Sequence, residues 1–178
     1  LKQALNSTYK VISDNIEIKE KLEKNKNSKK FDFFEFDNLN TKSDFIKARA
    51  ETDSSALKKK FSNEEIYKKN LPLNSSCKSL YSIAEKIRYE ALGAEMLKGI
   101  NKNLKENYNQ IISFKRKDQL KTKEDVTIVE AFELYMLKKF HNIELNSLTN
   151  KMLDFWKNDF DSSIGKHIDY LKSNLENQ

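Results

Sequence analysis

Two of the three glycines in this 178-residue chain lie inside a segment that otherwise has the pattern of a helix. Gly93 and Gly99 occur within residues 83–102, where apolar residues recur at helical spacing. A glycine inside a helix costs about 1 kcal/mol relative to alanine. A chain with so few glycines therefore needs a local reason to place two of them here, such as a close backbone approach, a cap or a kink.

The apolar stripe changes phase within the same segment. Residues 80–91 form one stripe and residues 97–111 form another, and the two are out of register near Gly93. Two helices that meet at a kink between Gly93 and Gly99 explain this change as well as one continuous helix does.

Helical patterns dominate the rest of the chain, so we predict a mainly α fold, an irregular multi-helix domain spanning residues 1–178. Residues 41–61 are predicted to form a helix capped by Thr41 or Ser43, and Asp53 interrupts its stripe on the apolar side. Phe31 and Phe33 alternate with polar residues, which makes a short β-hairpin near residues 16–36 a candidate exception.

Two helix starts are indicated by capping patterns. Ser62 is followed three residues later by Glu65, which predicts a capping box at the start of a short helix. Thr122 and Asp125 predict the start of the next long helix, which is apolar over much of its circumference.

Composition limits the class of protein. No run of about 18 apolar residues occurs, so no transmembrane helix and no membrane partner is expected. The only cysteine, Cys77, excludes an intrachain disulfide and favours the cytoplasm. The chain begins at Leu1 without methionine or an apolar signal region, and we expect it to be a fragment of a longer protein.

The net charge of +6 raises the alternative of a basic helical protein that binds nucleic acid. Against this, nearly all the basic residues are lysines, spread along the chain and interleaved with acids, whereas base readout and phosphate clamps favour arginine. We therefore do not expect nucleic acid as a partner. A stand-alone enzyme with an unrecognised site is a third hypothesis.

The sequence lacks the usual signatures of catalysis and metal binding. It has no glycine-rich phosphate loop, so ATP binding by that route is not expected. His141 and His167 lie far apart in predicted helices, and no His/Cys cluster has zinc spacing. We predict no catalytic residue, no metal site and no cofactor in this chain.

The glycine segment contains a motif of one arginine, two acids, two glycines and an asparagine: Glu85, Arg88, Glu90, Gly93, Gly99 and Asn103. This motif resembles the signature of the N-terminal region of CobT, a subunit of the aerobic cobaltochelatase. Upstream, Arg49 and Asp53 resemble a second family motif, and downstream Trp156 resembles a third. The resemblance covers residues from about 45 to 172, and residues 1–40 match only loosely.

The resemblance implies an ATP-dependent complex that inserts cobalt into the corrin ring in cobalamin biosynthesis. Its implied partners are an AAA+ ATPase subunit and a large corrin-binding subunit, and ATP, magnesium and cobalt belong to the whole complex. We expect the integrin-like C-terminal domain of the family to be absent from this chain. The chain would be a ligase subunit's N-terminal domain, inactive on its own, that acts through structure and protein–protein interaction.

We give equal weight to two roles for the motif residues. In one, they dock the chelatase partners. In the other, they are structural: Glu85 and Arg88 form an ion pair on the helix surface, and the glycines permit close helix crossing.

Overall fold

The computed structural model describes residues 2–14, 40–114 and 120–178. Over these residues the chain is mainly α, as predicted, with nine α-helices and no strand. The candidate hairpin near residues 16–36 lies outside the described residues. The helices are α1 (Lys2–Ile12), α2 (Lys42–Phe61), α3 (Glu64–Lys69), α4 (Ser75–Met96), α5 (Lys98–Phe114), α6 (Ile128–Phe140), α7 (Ser147–Asp154), α8 (Lys157–Ser163) and α9 (Ile168–Ser173).

Helix α2 begins where the sequence predicts. The Thr41 hydroxyl accepts a hydrogen bond from the Asp44 backbone N–H at 3.1 Å, and the Asp44 carboxylate accepts one from the Thr41 N–H at 2.9 Å. This reciprocal capping box satisfies two backbone donors that a helix start otherwise leaves unpaired.

Two other helix starts differ from the prediction. Asn63, not Ser62, caps α3, because Ser62 already ends α2 and its hydroxyl turns to a carboxylate on α4. Thr122 opens only a three-residue 3₁₀ turn, and α6 begins at Ile128 after a second capping box in which Thr127 is the cap. Two capping sequences lie five residues apart, Thr122 with Asp125 and Thr127 with Glu130, and only the second begins the long helix.

Helices α2 and α4 form the centre of the fold. Helix α2 packs against α1, α4 and α5, and α4 also packs against α5 and α6. Their shared core buries large side chains from every one of these helices, including Tyr9, Leu57, Ile87, Leu104 and Leu134. Burying such side chains contributes about 1.5–3 kcal/mol each, so this core supplies most of the drive to fold.

Helices α4 and α5 are separate helices joined at a single extended residue. Leu97 has φ −139° and ψ 118°, and its N–H still bonds to the Gly93 carbonyl at 3.0 Å. Of the two interpretations that the change of phase left open, the structure has the two helices, and their break lies between Gly93 and Gly99.

The C-terminal third consists of short helices arranged around α6. Helices α7 and α8 pack against α6 and against each other. The tail returns to α4, where the buried Leu175 contacts Ala91 and Leu92. None of the helices in the described ranges is long and apolar enough to cross a membrane.

Candidate functional site

The motif residues lie mostly on one helix and point into the protein. Glu85, Glu90 and Gly93 are buried positions of α4, and Asn103 is buried on α5. Arg88 is largely enclosed, with 13% of its side chain exposed. Gly99, in the first turn of α5, is the exposed member of the set.

Arg88 joins three parts of the chain through four hydrogen bonds. Its Nε and one terminal nitrogen donate to the two Glu85 carboxylate oxygens at 2.8 and 2.9 Å. That same terminal nitrogen donates to the Phe61 carbonyl at 2.6 Å, and the other donates to the Leu175 carbonyl at 2.7 Å. The planar guanidinium therefore fixes α4 to the end of α2 and to the C-terminal tail.

The Glu85 carboxylate extends this junction. Its Oε1 also accepts a hydrogen bond from the Ser62 hydroxyl at 2.6 Å. Beyond it, the Asn63 backbone N–H donates to the Gln178 side-chain oxygen at 2.6 Å, and the Gln178 amide donates to the Asn63 carbonyl at 3.2 Å. The Glu85–Arg88 pair is thus a partly buried structural junction, not the exposed helix-surface ion pair that sequence spacing alone suggests.

Glu90 is the centre of a second, deeper cluster. Only 1% of this residue is exposed. One carboxylate oxygen accepts a hydrogen bond from the Ser54 hydroxyl of α2, and the other accepts one from the Tyr108 hydroxyl of α5, both at 2.5 Å. The Lys86 ammonium lies 3.9 Å from Oε1. A carboxylate so deeply buried requires such partners, and they tie α2, α4 and α5 together.

His141 borders the Glu90 cluster without bonding to it. Its Nε2 is buried, lies 3.8 Å from Glu90 Oε2 and has no hydrogen-bond partner among the described residues. The imidazole and the Tyr108 ring have centroids 5.7 Å apart.

Burial dominates the titration of both groups. It raises the pKa of Glu90 above its usual value, even though Lys86, Ser54 and Tyr108 favour the charged form. Burial, with repulsion from Lys105 and Lys86, lowers the pKa of His141 to about 4. His141 is therefore neutral at physiological pH.

These shifts predict a pH dependence of stability. As the pH falls, His141 binds a proton in the unfolded chain, where its pKa is near 6.5, before it does so in the folded chain. Its contribution to the free energy of unfolding is therefore complete above about pH 6.5 and is lost as the pH falls toward 4. Glu90 has the opposite effect, because its pKa is higher in the folded chain than in the unfolded chain. Its contribution to the free energy of unfolding is complete below about pH 4.3 and is lost as the pH rises through its pKa in the folded chain.

The variant His141→Gln is expected to remove the loss of stability that protonation of His141 causes as the pH falls. Between about pH 7 and pH 5, the variant should lose about 1–2 kcal/mol less of its unfolding free energy than the wild type. Denaturant titrations at the two pH values measure this, and His167→Gln, at an exposed position, is the control that should behave as wild type. Equal losses in wild type and His141→Gln would contradict the assignment.

Asp53 and Asn103 form a third contact between helices. The Asn103 side-chain amide of α5 donates to the Asp53 carboxylate of α2 at 2.7 Å, and both residues are buried. Burial raises the pKa of Asp53, while the hydrogen bond from Asn103 and the charge of Arg49 oppose the rise. Two residues from separate sequence motifs are thus direct partners. Arg49 itself is exposed, and its guanidinium lies over the Phe45 ring.

The two glycines of the motif have different surroundings. A Cβ placed on Gly93 would lie 2.9 Å from Leu57 Cγ and closer still to both Leu57 Cδ atoms. Gly93 therefore permits the close crossing of α4 and α2. At Gly99 nothing lies within 4 Å of such a Cβ, so no helix crossing depends on that residue.

Trp156 lies apart from these clusters, between α7 and α8. Its indole N–H donates to the Val126 carbonyl at 2.9 Å, and the Lys123 ammonium lies 4.2 Å from the ring centroid. This arrangement fastens the turn before α6 to the C-terminal helices and does not join the motif residues of α4.

The three clusters have the chemistry of a scaffold. Their carboxylates accept hydrogen bonds from separate partners on different helices and do not converge. In the described ranges, no group of three or more His, Cys, Asp or Glu side chains could hold a metal ion.

Sequence reasoning missed the partners of the motif residues. Glu90 is contacted by Ser54 and Tyr108 and bordered by His141, which lie 36, 18 and 51 positions away along the chain. No local sequence pattern links these residues to Glu90. The phase of the stripes was the available signal, since it places Tyr108 on the apolar face of α5.

Comparison with known proteins adds one finding. The family model described as cobalamin biosynthesis protein CobT matches residues 1–178, which is the whole chain. No solved structure matches it.

Proposed function

The chain belongs to the CobT family of cobalamin biosynthesis proteins, and from this premise we propose that it is a non-catalytic structural and interaction domain of a cobaltochelatase subunit. In that role it supports the ATP-dependent insertion of cobalt into the corrin ring. Cobalt is the substrate of the complex, and ATP and magnesium belong to the complex as a whole.

One observation carries this proposal: the polar groups of the family motif are used inside the fold. Glu85, Glu90 and Asp53 each accept hydrogen bonds from another helix or from the segment that follows one, and Arg88 holds two backbone carbonyls. Polar groups that already make these internal hydrogen bonds position helices and are not free to bind a substrate. Through them the motif sets the shape that the partners recognise.

The burial of the motif separates positioning residues from docking residues. Glu85, Glu90, Gly93 and Asn103 are buried, so they act on a partner only through the surface they hold in place. Gly99 and Arg49 are exposed and are available for direct contact.

The purified chain alone is expected to hydrolyse no ATP and to insert no cobalt, because its motif carboxylates are occupied by internal partners. Added to the AAA+ ATPase subunit, it is expected to co-purify with it. Turnover by the isolated chain would contradict the non-catalytic role. Failure to bind either chelatase partner, together with salt-dependent binding to DNA or RNA, would favour the nucleic-acid alternative.

A further inference from the structure

A cleft of about 360 Å³ lies on the side of the fold where the tail meets α4. Its walls come from the junction of α4 and α5, the end of α6, and α9. Lysines from three of these helices line it, namely Lys105, Lys139 and Lys172, and we call this cleft the lysine cleft.

None of the three lysines makes an ion pair with an acidic side chain within the described residues. Lys47, Lys68 and Lys102 each pair with a glutamate one turn away. Glu95 is the one acid among the lining residues. Unpaired ammonium groups that line the same cleft repel one another, and a bound anion would relieve that repulsion.

Other groups of the cleft suit an oxyanion. Asn101 and Asn142 bring side-chain amides, which donate hydrogen bonds to oxygen. Aromatic faces help to place two of the lysines: the Lys139 ammonium lies 5.3 Å from the Tyr135 ring centroid, and the Lys172 ammonium lies 5.9 Å from that of Phe140.

His141 provides an independent observation at the same place. It lines the cleft, is 3% exposed, and its Nε2 has no hydrogen-bond partner within the part of the chain that the structure describes. The charged and titratable groups around it are Lys86 and Glu90 from α4, and Lys105 and Tyr108 from α5. Burial, with repulsion from Lys105 and Lys86, lowers the pKa of this imidazole.

We propose that the lysine cleft binds a small multivalent oxyanion through its carboxylate or phosphate groups. Its volume falls in the range of small-ligand sites, and three ammonium groups with two amides match several negatively charged oxygens. The site is separate from the assembly role proposed above and stands or falls independently of it.

The two histidines of the chain offer a direct test. The probes are citrate for carboxylates and tripolyphosphate for phosphates, added at low salt while the imidazole ring protons are followed by NMR. Either probe is expected to shift the His141 signals in a saturable manner and to leave those of the exposed His167 unchanged. The tighter probe identifies which oxyanion class the site prefers.

Charge-matched variants separate a site from general attraction. The triple variant Lys105→Gln, Lys139→Gln, Lys172→Gln is expected to weaken binding by about tenfold or more. A control that removes the same charge at exposed positions, Lys121→Gln, Lys157→Gln, Lys166→Gln, should stay within about twofold of wild type. Circular dichroism verifies that both variants are folded.

Three results would overturn the proposal. One is a shift of His141 that never saturates, and another is an equal loss of binding in the two triple variants, since both indicate diffuse attraction. The third is that a hexaglutamate peptide binds whereas neither citrate nor tripolyphosphate does, which would indicate an acidic protein segment as the occupant.

Discussion

Replacing Gly93 with leucine is expected to lower the free energy of unfolding by at least about 2 kcal/mol. The new side chain would enter the space filled by Leu57, which is fully buried between α2 and α4. Leucine is a better helix former than glycine by about 1 kcal/mol, so propensity alone predicts the opposite sign. Overpacking in a dense core typically costs more than this gain.

Denaturant titration of Gly93→Leu and of Gly99→Ala provides the comparison. Gly99 is also helical, but it has open space around it, so its substitution should be neutral or stabilising by up to about 1 kcal/mol. A Gly93→Leu variant as stable as the wild type would contradict the close crossing of α2 and α4.

A second pair of variants identifies the neighbour responsible. Gly93→Ala adds only the Cβ that meets Leu57, and Leu57→Ala removes the atoms that it meets. Gly93→Ala should therefore cost less in the Leu57→Ala background than in the wild type, and the difference is the coupling energy of the pair. Simple additivity of the two changes would show that some other contact constrains Gly93.

The local features of this fold were accessible from its sequence. The start of α2, for which Thr41 was one of two candidate caps, and the inward orientation of Asp53 follow from caps and periodicity, and periodicity gave the break between α4 and α5 as one of two interpretations. Such features depend on neighbours within one or two helical turns. The scarcity of glycine also pointed correctly to Gly93, but it gave Gly99 the same weight without a structural reason.

The remainder depends on contacts between distant parts of the chain. Sequence spacing suggested that Arg88 pairs with Glu85, and it does, but the carbonyls of Phe61 and Leu175 lie 27 and 87 positions away. The cap of α3 was misplaced for a similar reason, because the Ser62 hydroxyl is engaged by Glu85 of another helix. Periodicity can show that a side chain turns inward, whereas tertiary packing decides what it meets.

Replacing Arg88 with lysine is expected to cost about 2–4 kcal/mol of unfolding free energy although the charge is kept. A single ammonium cannot reproduce the fork that reaches both Glu85 oxygens and two carbonyls on opposite sides. Glu85, 8% exposed, would be left with an incomplete set of partners. Unmet hydrogen-bonding capacity of this kind carries the larger part of the cost.

The matched control is Arg49→Lys, because Arg49 is exposed and no hydrogen bond from it is found within the described residues. That change should alter stability by no more than about 0.5 kcal/mol. Hydrogen exchange adds a local readout: Arg88→Lys should release the tail around Leu175 before the rest of the fold, since the guanidinium is its polar tether to α4. Under conditions where Arg88→Lys is still folded, its pull-down of the AAA+ subunit should be weaker than that of the wild-type chain. Wild-type stability and wild-type pull-down in Arg88→Lys would leave the motif without the positioning role assigned to it.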